Sequence, residues 1–173
     1  MDGESEFAAD LVERFTAYHR RSYVCKAGLG GVGGMTPLML GVTNGHVEVV
    51  RQLLQAGEIA DGEDDNGYTP LMLAARAGHE PCVEALLEAR AAPNLRSESG
   101  CTALSMACEA GATAVVKLLL DQDTLDINRV ETDGATPLFL ACEKGHTEVV
   151  KLLLLNQVDT LDVNKAITDN GTT

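Results

Sequence analysis

Apolar residues recur along the chain in one short pattern that is present four times. In each copy, two adjacent apolar residues are followed, four and five positions later, by two leucines, as at residues 49–54 and 149–154. This spacing places four apolar side chains on one side of a helix. A single short helix cannot bury such a stripe alone, so the pattern predicts helices that pack against copies of themselves.

A second short helix is predicted ahead of each stripe. Thr36, Thr69, Thr102 and Thr136 each begin a Thr-Pro-Leu or Thr-Ala-Leu motif, at spacings of 33, 33 and 34 residues, and a glycine stands nine residues after each threonine. The threonine hydroxyl favours a helix N-cap, and proline at the first helical position lacks only an N–H that had no partner. Glycine then favours the end of the helix. Each unit is therefore expected to contain two short helices and a turn.

The combined pattern Gly-x-Thr-Pro-Leu, Gly-His, Val-Val, Leu-Leu and Asn resembles the ankyrin repeat. The resemblance covers units near residues 35–66, 67–99, 100–133 and 134–170, followed by a truncated fifth unit, in a repeat domain of residues 35–173. It implies an all-α repeat solenoid of stacked helix-turn-helix units, with hairpin-like loops projecting from one side.

The residues depart from the family pattern at two positions. The histidine that usually follows Thr-Pro-Leu in the family is replaced in all four units, by Met39, Met72, Ser105 and Phe139. The position after the second helix that favours glycine holds Arg90 and Asp123 in the second and third units. The stack is therefore better specified by the sequence than the geometry of its loops.

Asparagines follow the second helices of the last three units. Asn94, Asn128 and Asn164 match the family's loop asparagine, while Asp61 stands there in the first unit. Because some family members are hydroxylated at this asparagine, the resemblance leaves open a modification of these three side chains.

Residues 1–34 lack the repeat pattern. Leu11, Val12, Phe15 and Tyr18 lie at helical spacing within residues 8–21, which favours an amphipathic helix. We expect this helix to cap the apolar face of the first repeat, and a partner-binding helix is the alternative.

A glycine-rich stretch separates this helix from the repeats. Gly28, Gly30 and Gly33 have the G-x-G-x-x-G spacing of a dinucleotide-binding loop, which has meaning only between a strand and a helix. Here Pro37 and Gly45 limit the following helix to about two turns, and no second parallel strand follows. We therefore interpret the glycines as a linker or a loose first loop, and expect no cofactor.

The net negative charge of the chain argues against partners that are themselves negatively charged. Twenty-six acidic and 13 basic residues give a formal net charge of −13, which repels nucleic acid and anionic membranes. The sequence has no apolar run long enough for a membrane span and no signal peptide, and its five cysteines contain no C-x-x-C pair. These features favour a cytoplasmic, or alternatively nuclear, monomer with reduced thiols.

Candidate catalytic and metal-binding residues are explained by the repeat itself. His46, His79 and His146 occupy one repeat position at the start of the second helix, where the ring can bond nearby backbone. Cys101 is predicted to be the most exposed thiol. The acidic run 61–67 lacks the final glutamate of a calcium loop. We predict no catalytic site, metal or cofactor.

The resemblance implies a protein–protein interaction module that displays a rigid concave surface to its partner. Two acidic loops, 58–65 and 121–133, would form a negative rim that favours a basic partner, or would be solvated charge that maintains solubility. The alternative function is a regulatory or targeting segment of a larger enzyme with its catalytic part beyond residue 173. By resemblance, the partner-binding positions are the loop tips and the exposed ends of the first helices: Asp65, Asn66, Tyr68, Met72, Arg76, Glu98, Ser99, Cys101, Ser105, Glu109, Thr132, Asp133, Ala135, Phe139 and Glu143. Tyr68, Met72 and Phe139 are either apolar anchors for the partner or packing residues between units.

Overall fold

The computed structural model describes residues 34–156, which form four stacked helix pairs. No strand occurs within this range. The first helices of the pairs are α1 (Pro37–Thr43), α3 (Pro70–Ala77), α5 (Ala103–Ala110) and α7 (Pro137–Glu143). The second helices are α2 (Val47–Gln55), α4 (Glu80–Glu88), α6 (Thr113–Leu120) and α8 (Thr147–Asn156).

The predicted capping residues begin and end the first helices. The hydroxyl of each motif threonine accepts a hydrogen bond from the backbone N–H three residues later, at 3.1–3.4 Å. The glycine nine residues after each threonine has a φ of 70–75°, in the left-handed region that favours glycine. Both predictions are confirmed, and the resulting helices have seven or eight residues.

The core runs through the whole stack as one cluster. First helices pack against the first helices of neighbouring repeats, and second helices against second helices. Leu86, Leu119 and Leu153 of the predicted stripes are fully buried. Stacking thus buries the stripes that a single repeat would leave exposed.

Two histidines tie each of their repeats to the repeat before it. Nε2 of His79 lies 3.2 Å from the carbonyl oxygen of Thr43, and Nε2 of His146 lies 2.9 Å from that of Glu109. The His79 ring lies over Gly45 so closely that a Cβ there would be 2.9 Å from it. The expected bonds to backbone are therefore present, and they join neighbouring repeats. Ala112 occupies the same position in the third repeat and has no ring to form this bond.

The second helices of the first two repeats end in the same motif. After α4, Ala91 N–H donates to Leu86 O and Arg90 N–H to Leu87 O, both at 2.9 Å, in the Schellman arrangement. This motif requires a left-handed residue, which is Gly57 (φ 88°) after α2 and Arg90 (φ 63°) after α4. Arg90 is the one non-glycine residue with positive φ within residues 34–156.

Several predictions concern the two ends of the chain. The N-terminal helix, the G-x-G-x-x-G glycines, Cys25, Asn164 and the start of a fifth repeat lie outside residues 34–156, the part that the structure describes. They remain predictions from the sequence.

Candidate functional site

Three short hairpin loops, here called the fingers, precede α3, α5 and α7. They comprise residues 64–68, 97–101 and 131–135, and in each the first backbone N–H donates to the last carbonyl, at 2.9–3.0 Å. A glycine with positive φ forms the turn in each finger, at Gly67, Gly100 and Gly134. The hairpin-like loops implied by the family resemblance are therefore present.

Polar side chains hold the fingers closed. Asp64 Oδ1 accepts hydrogen bonds from the backbone N–H groups of Asn66 and Tyr68, both at 2.9 Å. Ser97 Oγ accepts from Cys101 N–H at 3.1 Å, and Asp133 Oδ1 accepts from Ala135 N–H at 3.0 Å. These side chains stabilise the loop, as short polar residues commonly do in turns.

Each finger is also bonded to the next one. Glu98 N–H donates to the Asn66 carbonyl at 3.0 Å, and both the N–H and the hydroxyl of Thr132 donate to the Ser99 carbonyl at 3.0 Å. The approach is close, since a Cβ on Gly100 would lie 3.0 Å from Thr132 N. The fingers therefore form a row whose members cannot move independently without losing these bonds.

Nine of the predicted partner-binding residues are exposed in two parallel rows. The first row is the fingertips and the second is the C-terminal ends of the first helices. The fingertip residues are Asp65, Asn66, Glu98, Ser99, Thr132 and Asp133, and the helix-end residues are Arg76, Glu109 and Glu143.

Two further predicted residues, Tyr68 and Cys101, are half-buried. The Arg76 guanidinium lies 5.6 Å from the centre of the Tyr68 ring, within the range of a cation–π interaction. Cys101 Sγ lies 3.2 Å from Ser99 Oγ, and burial is the largest cause that raises the pKa of this thiol. The structure thus brings Tyr68 and Arg76 together, and likewise Ser99 and Cys101.

Three of the predicted partner-binding residues are buried, and this part of the prediction is wrong. Met72 and Ser105 are 1% exposed and Ala135 is 2% exposed. Met72 and Ser105 lie in the first turn of α3 and α5, on the side that the following repeat covers, so Met72 is a packing residue and not an anchor. Phe139 has the same position on α7, the last first helix in the described range, and is 41% exposed.

Among the cysteines of residues 34–156, the exposed thiol is also not the one predicted. Cys142 on α7 is exposed, Cys101 is half-buried, and Cys82 and Cys108 are buried. Cys108 has the same repeat position as Cys142 but is covered by the next repeat, and its burial raises its pKa to about 12.

The fingertips are more acidic than the helix ends. Lys144 lies 3.4 Å from Glu109 and 3.6 Å from Glu143, which partly neutralises the second row. Within residues 34–156, the fingertip acids Asp65, Glu98 and Asp133 form no ion pair with a basic side chain. The acids at the tips are therefore not held in ion pairs within the described range.

Asn94 joins the loops that follow α4 and α6. Its Nδ2 donates to the Thr124 carbonyl at 2.6 Å, and its Oδ1 accepts from Asp126 N–H at 2.9 Å. Asp61 at the equivalent position accepts from Ala92 N–H at 3.0 Å. The loop asparagine thus hydrogen-bonds to the next repeat as both donor and acceptor. An aspartate at the same position, such as Asp61, can only accept.

The described range contains neither a cluster of metal ligands nor a membrane-spanning helix. Within residues 34–156, His, Cys, Asp and Glu side chains form no group of three that could hold a metal ion. No helix in this range is long and apolar enough to cross a membrane. What the described surface does offer is two ordered rows of polar side chains.

Four helix pairs with a row of bonded fingers define a helix-turn-helix repeat solenoid. The chain belongs to the ankyrin repeat family, since the family model for ankyrin repeats (3 copies) matches residues 8–97 and 89–166. Comparison with curated proteins gives no match. Ankyrin repeats generally mediate protein–protein interactions, and ankyrin repeat domains are typically non-catalytic.

Proposed function

We propose that the fingers and the helix ends form a concave, acid-rimmed surface that binds a basic segment of a protein partner. The observation that carries this proposal is that each of the three fingertips carries an acid, Asp65, Glu98 or Asp133, and that none of these acids forms an ion pair with a basic side chain in the described range. A row of uncompensated charge attracts ligands of the opposite sign and speeds their association.

The hydrogen bonds between fingers support this function by lowering the cost of binding. A loop that must be ordered on binding loses conformational freedom, which weakens affinity. Here the backbone bonds from Glu98 to Asn66 and from Thr132 to Ser99 order the tips before a partner arrives. The half-buried Tyr68 ring with Arg76 beside it supplies an aromatic contact between the two charged rows.

Selection from a random peptide display library tests the proposal. We expect the peptides recovered on the parent protein to be enriched in Lys and Arg, and their affinity to fall as salt rises. The variant Asp65→Lys with Glu98→Lys should lose them. Neither side chain forms a hydrogen bond or ion pair within residues 34–156, so the fingers stay intact, whereas Asp64 and Asp133 hold finger backbone and are unsuitable.

The matched control is Glu80→Lys with Glu84→Lys, which makes the same change in net charge on α4. Both residues are exposed and belong to the second-helix side of the repeats. This control should retain the peptides. Neutral or acidic peptides from the selection, or equal binding by the finger variant, would contradict a basic partner at the fingertips.

A further inference from the structure

The end of the stack formed by α1 and α2 carries an apolar face that no described repeat covers. Leu40 on α1 and Val49 on α2 are 49% and 47% exposed, and we call this pair the first-repeat face. The residues at the same two positions of the later repeats are all buried: Leu73, Met106 and Leu140 on first helices, and Cys82, Val115 and Val149 on second helices. These are therefore the positions that a preceding repeat covers.

The contacts within the stack show what kind of element fits this face. Each second helix packs against the second helix of the repeat before it, so α2 covers α4 and α4 covers α6. Val49 on α2 therefore faces the place that the second helix of an earlier repeat would occupy. An apolar helix is the fitting occupant, because the face offers side chains and no free strand edge.

Residues 8–21 have the apolar pattern of such a second helix. Leu11-Val12 followed by Phe15 has the same spacing as Val49-Val50 followed by Leu53 in α2. Leu11 precedes Val49 by 38 residues, against 33 between Val49 and Cys82, so the connection is longer by five residues and contains the glycine-rich stretch. The match to the ankyrin family model begins at residue 8, well before α1.

We propose that residues 8–21 form a helix that lies on the first-repeat face as the second helix of a half-repeat. A flexible chain of the length between residues 21 and 37 spans about 20 Å, which exceeds the separation of about 10 Å between packed helices. A tether this short keeps the segment at an effective concentration on the order of millimolar. This favours residues 8–21 over a second copy of the chain as the occupant.

Hydrogen exchange of the full chain, read by mass spectrometry, tests the proposal. We expect the amides of residues 11–18 to exchange at least tenfold more slowly than an unstructured chain of the same sequence. Leu40→Ser with Val49→Ser should bring them to the unstructured rate, while α5 and α6 keep their protection. The control, Leu154→Ser with Leu155→Ser, changes two exposed leucines at the other end of the stack and should leave residues 11–18 protected.

Three outcomes would overturn the proposal. Exchange of residues 11–18 at the unstructured rate in the parent would mean that the segment is free for another partner. Protection that survives the Leu40 and Val49 changes would place the segment elsewhere on the protein. Protection that rises with protein concentration, with a doubled mass by light scattering, would assign the face to a second copy.

Discussion

Replacing Arg90 by glycine should stabilise the protein. Arg90 has a φ of 63°, and the Schellman motif after α4 requires this conformation. Its side chain is exposed and forms no hydrogen bond or ion pair within residues 34–156, so the substitution removes no polar contact there. The native backbone is therefore strained for arginine and relaxed for glycine.

The size of the effect follows from two opposing terms. A non-glycine residue in the left-handed region costs about 1–2 kcal/mol. Glycine has a more disordered unfolded state, which offsets about 0.5–1 kcal/mol of that gain. We expect the free energy of unfolding of Arg90→Gly to rise by about 0.5–1 kcal/mol, and the melting temperature by about 2–4 °C per kcal/mol.

Urea unfolding followed by far-UV circular dichroism measures this change, as a shift of the midpoint at constant slope. Arg90→Ala is the matched control, because it loses the same charge and side chain but keeps the strain. Gly57→Ala tests the reverse case, since a Cβ at Gly57 would meet no heavy atom within 4 Å and any loss is due to the backbone. An Arg90→Gly variant no more stable than Arg90→Ala would refute the reasoning.

Three further predictions follow from contacts between or within repeats. Ala112→His should add a ring bond to the Arg76 carbonyl and stabilise the protein by about 0.5–1 kcal/mol in the same urea assay; an unchanged midpoint would count against it. Asn94→Ala should lose about 1–2 kcal/mol and Asn94→Asp less, since the aspartate keeps the acceptor; equal losses would show that the acceptor contributes nothing. At neutral pH a thiol reagent should label Cys142 in the folded protein and Cys108 only after unfolding, because burial raises the pKa of Cys108 to about 12; labelling of both at one rate would be inconsistent with the burial.

The helices were predictable because their signals are local. Thr69 and Gly78 begin and end α3 by bonds within a few residues of each, and the same pair recurs in every repeat. The finger bonds had a local signal too: Asp64 stands two residues before Asn66 and four before Tyr68, a spacing at which a carboxylate commonly accepts backbone bonds. In the sequence, Asp64 is also one of several acids in the loop 58–65, and its spacing to Asn66 and Tyr68 is what distinguishes it from the others.

The buried members of the site could not be predicted from one repeat. Tyr68 and Met72 are both large and close in sequence, yet Tyr68 is half-buried beside Arg76 whereas Met72 is covered by the next repeat. Cys108 and Cys142 share one repeat position, and their exposure differs because α7 is the last first helix in the described range. Which side of a helix a neighbour covers depends on the stack, and the pattern within a single unit does not contain that information.

The bonded row of fingers also fixes the distance between the fingertips of neighbouring repeats. Helices that pack directly against each other lie about 8–10 Å apart, so the fingertips attached to the first helices repeat at about that interval. An extended strand returns the same side to a surface every two residues, or about 6.6 Å, and an α-helix every 5.4 Å. A polyproline II segment does so every three residues, or about 9.3 Å. A basic segment of the kind proposed above would therefore match the fingertip interval in the polyproline II conformation, with a basic residue at every third position.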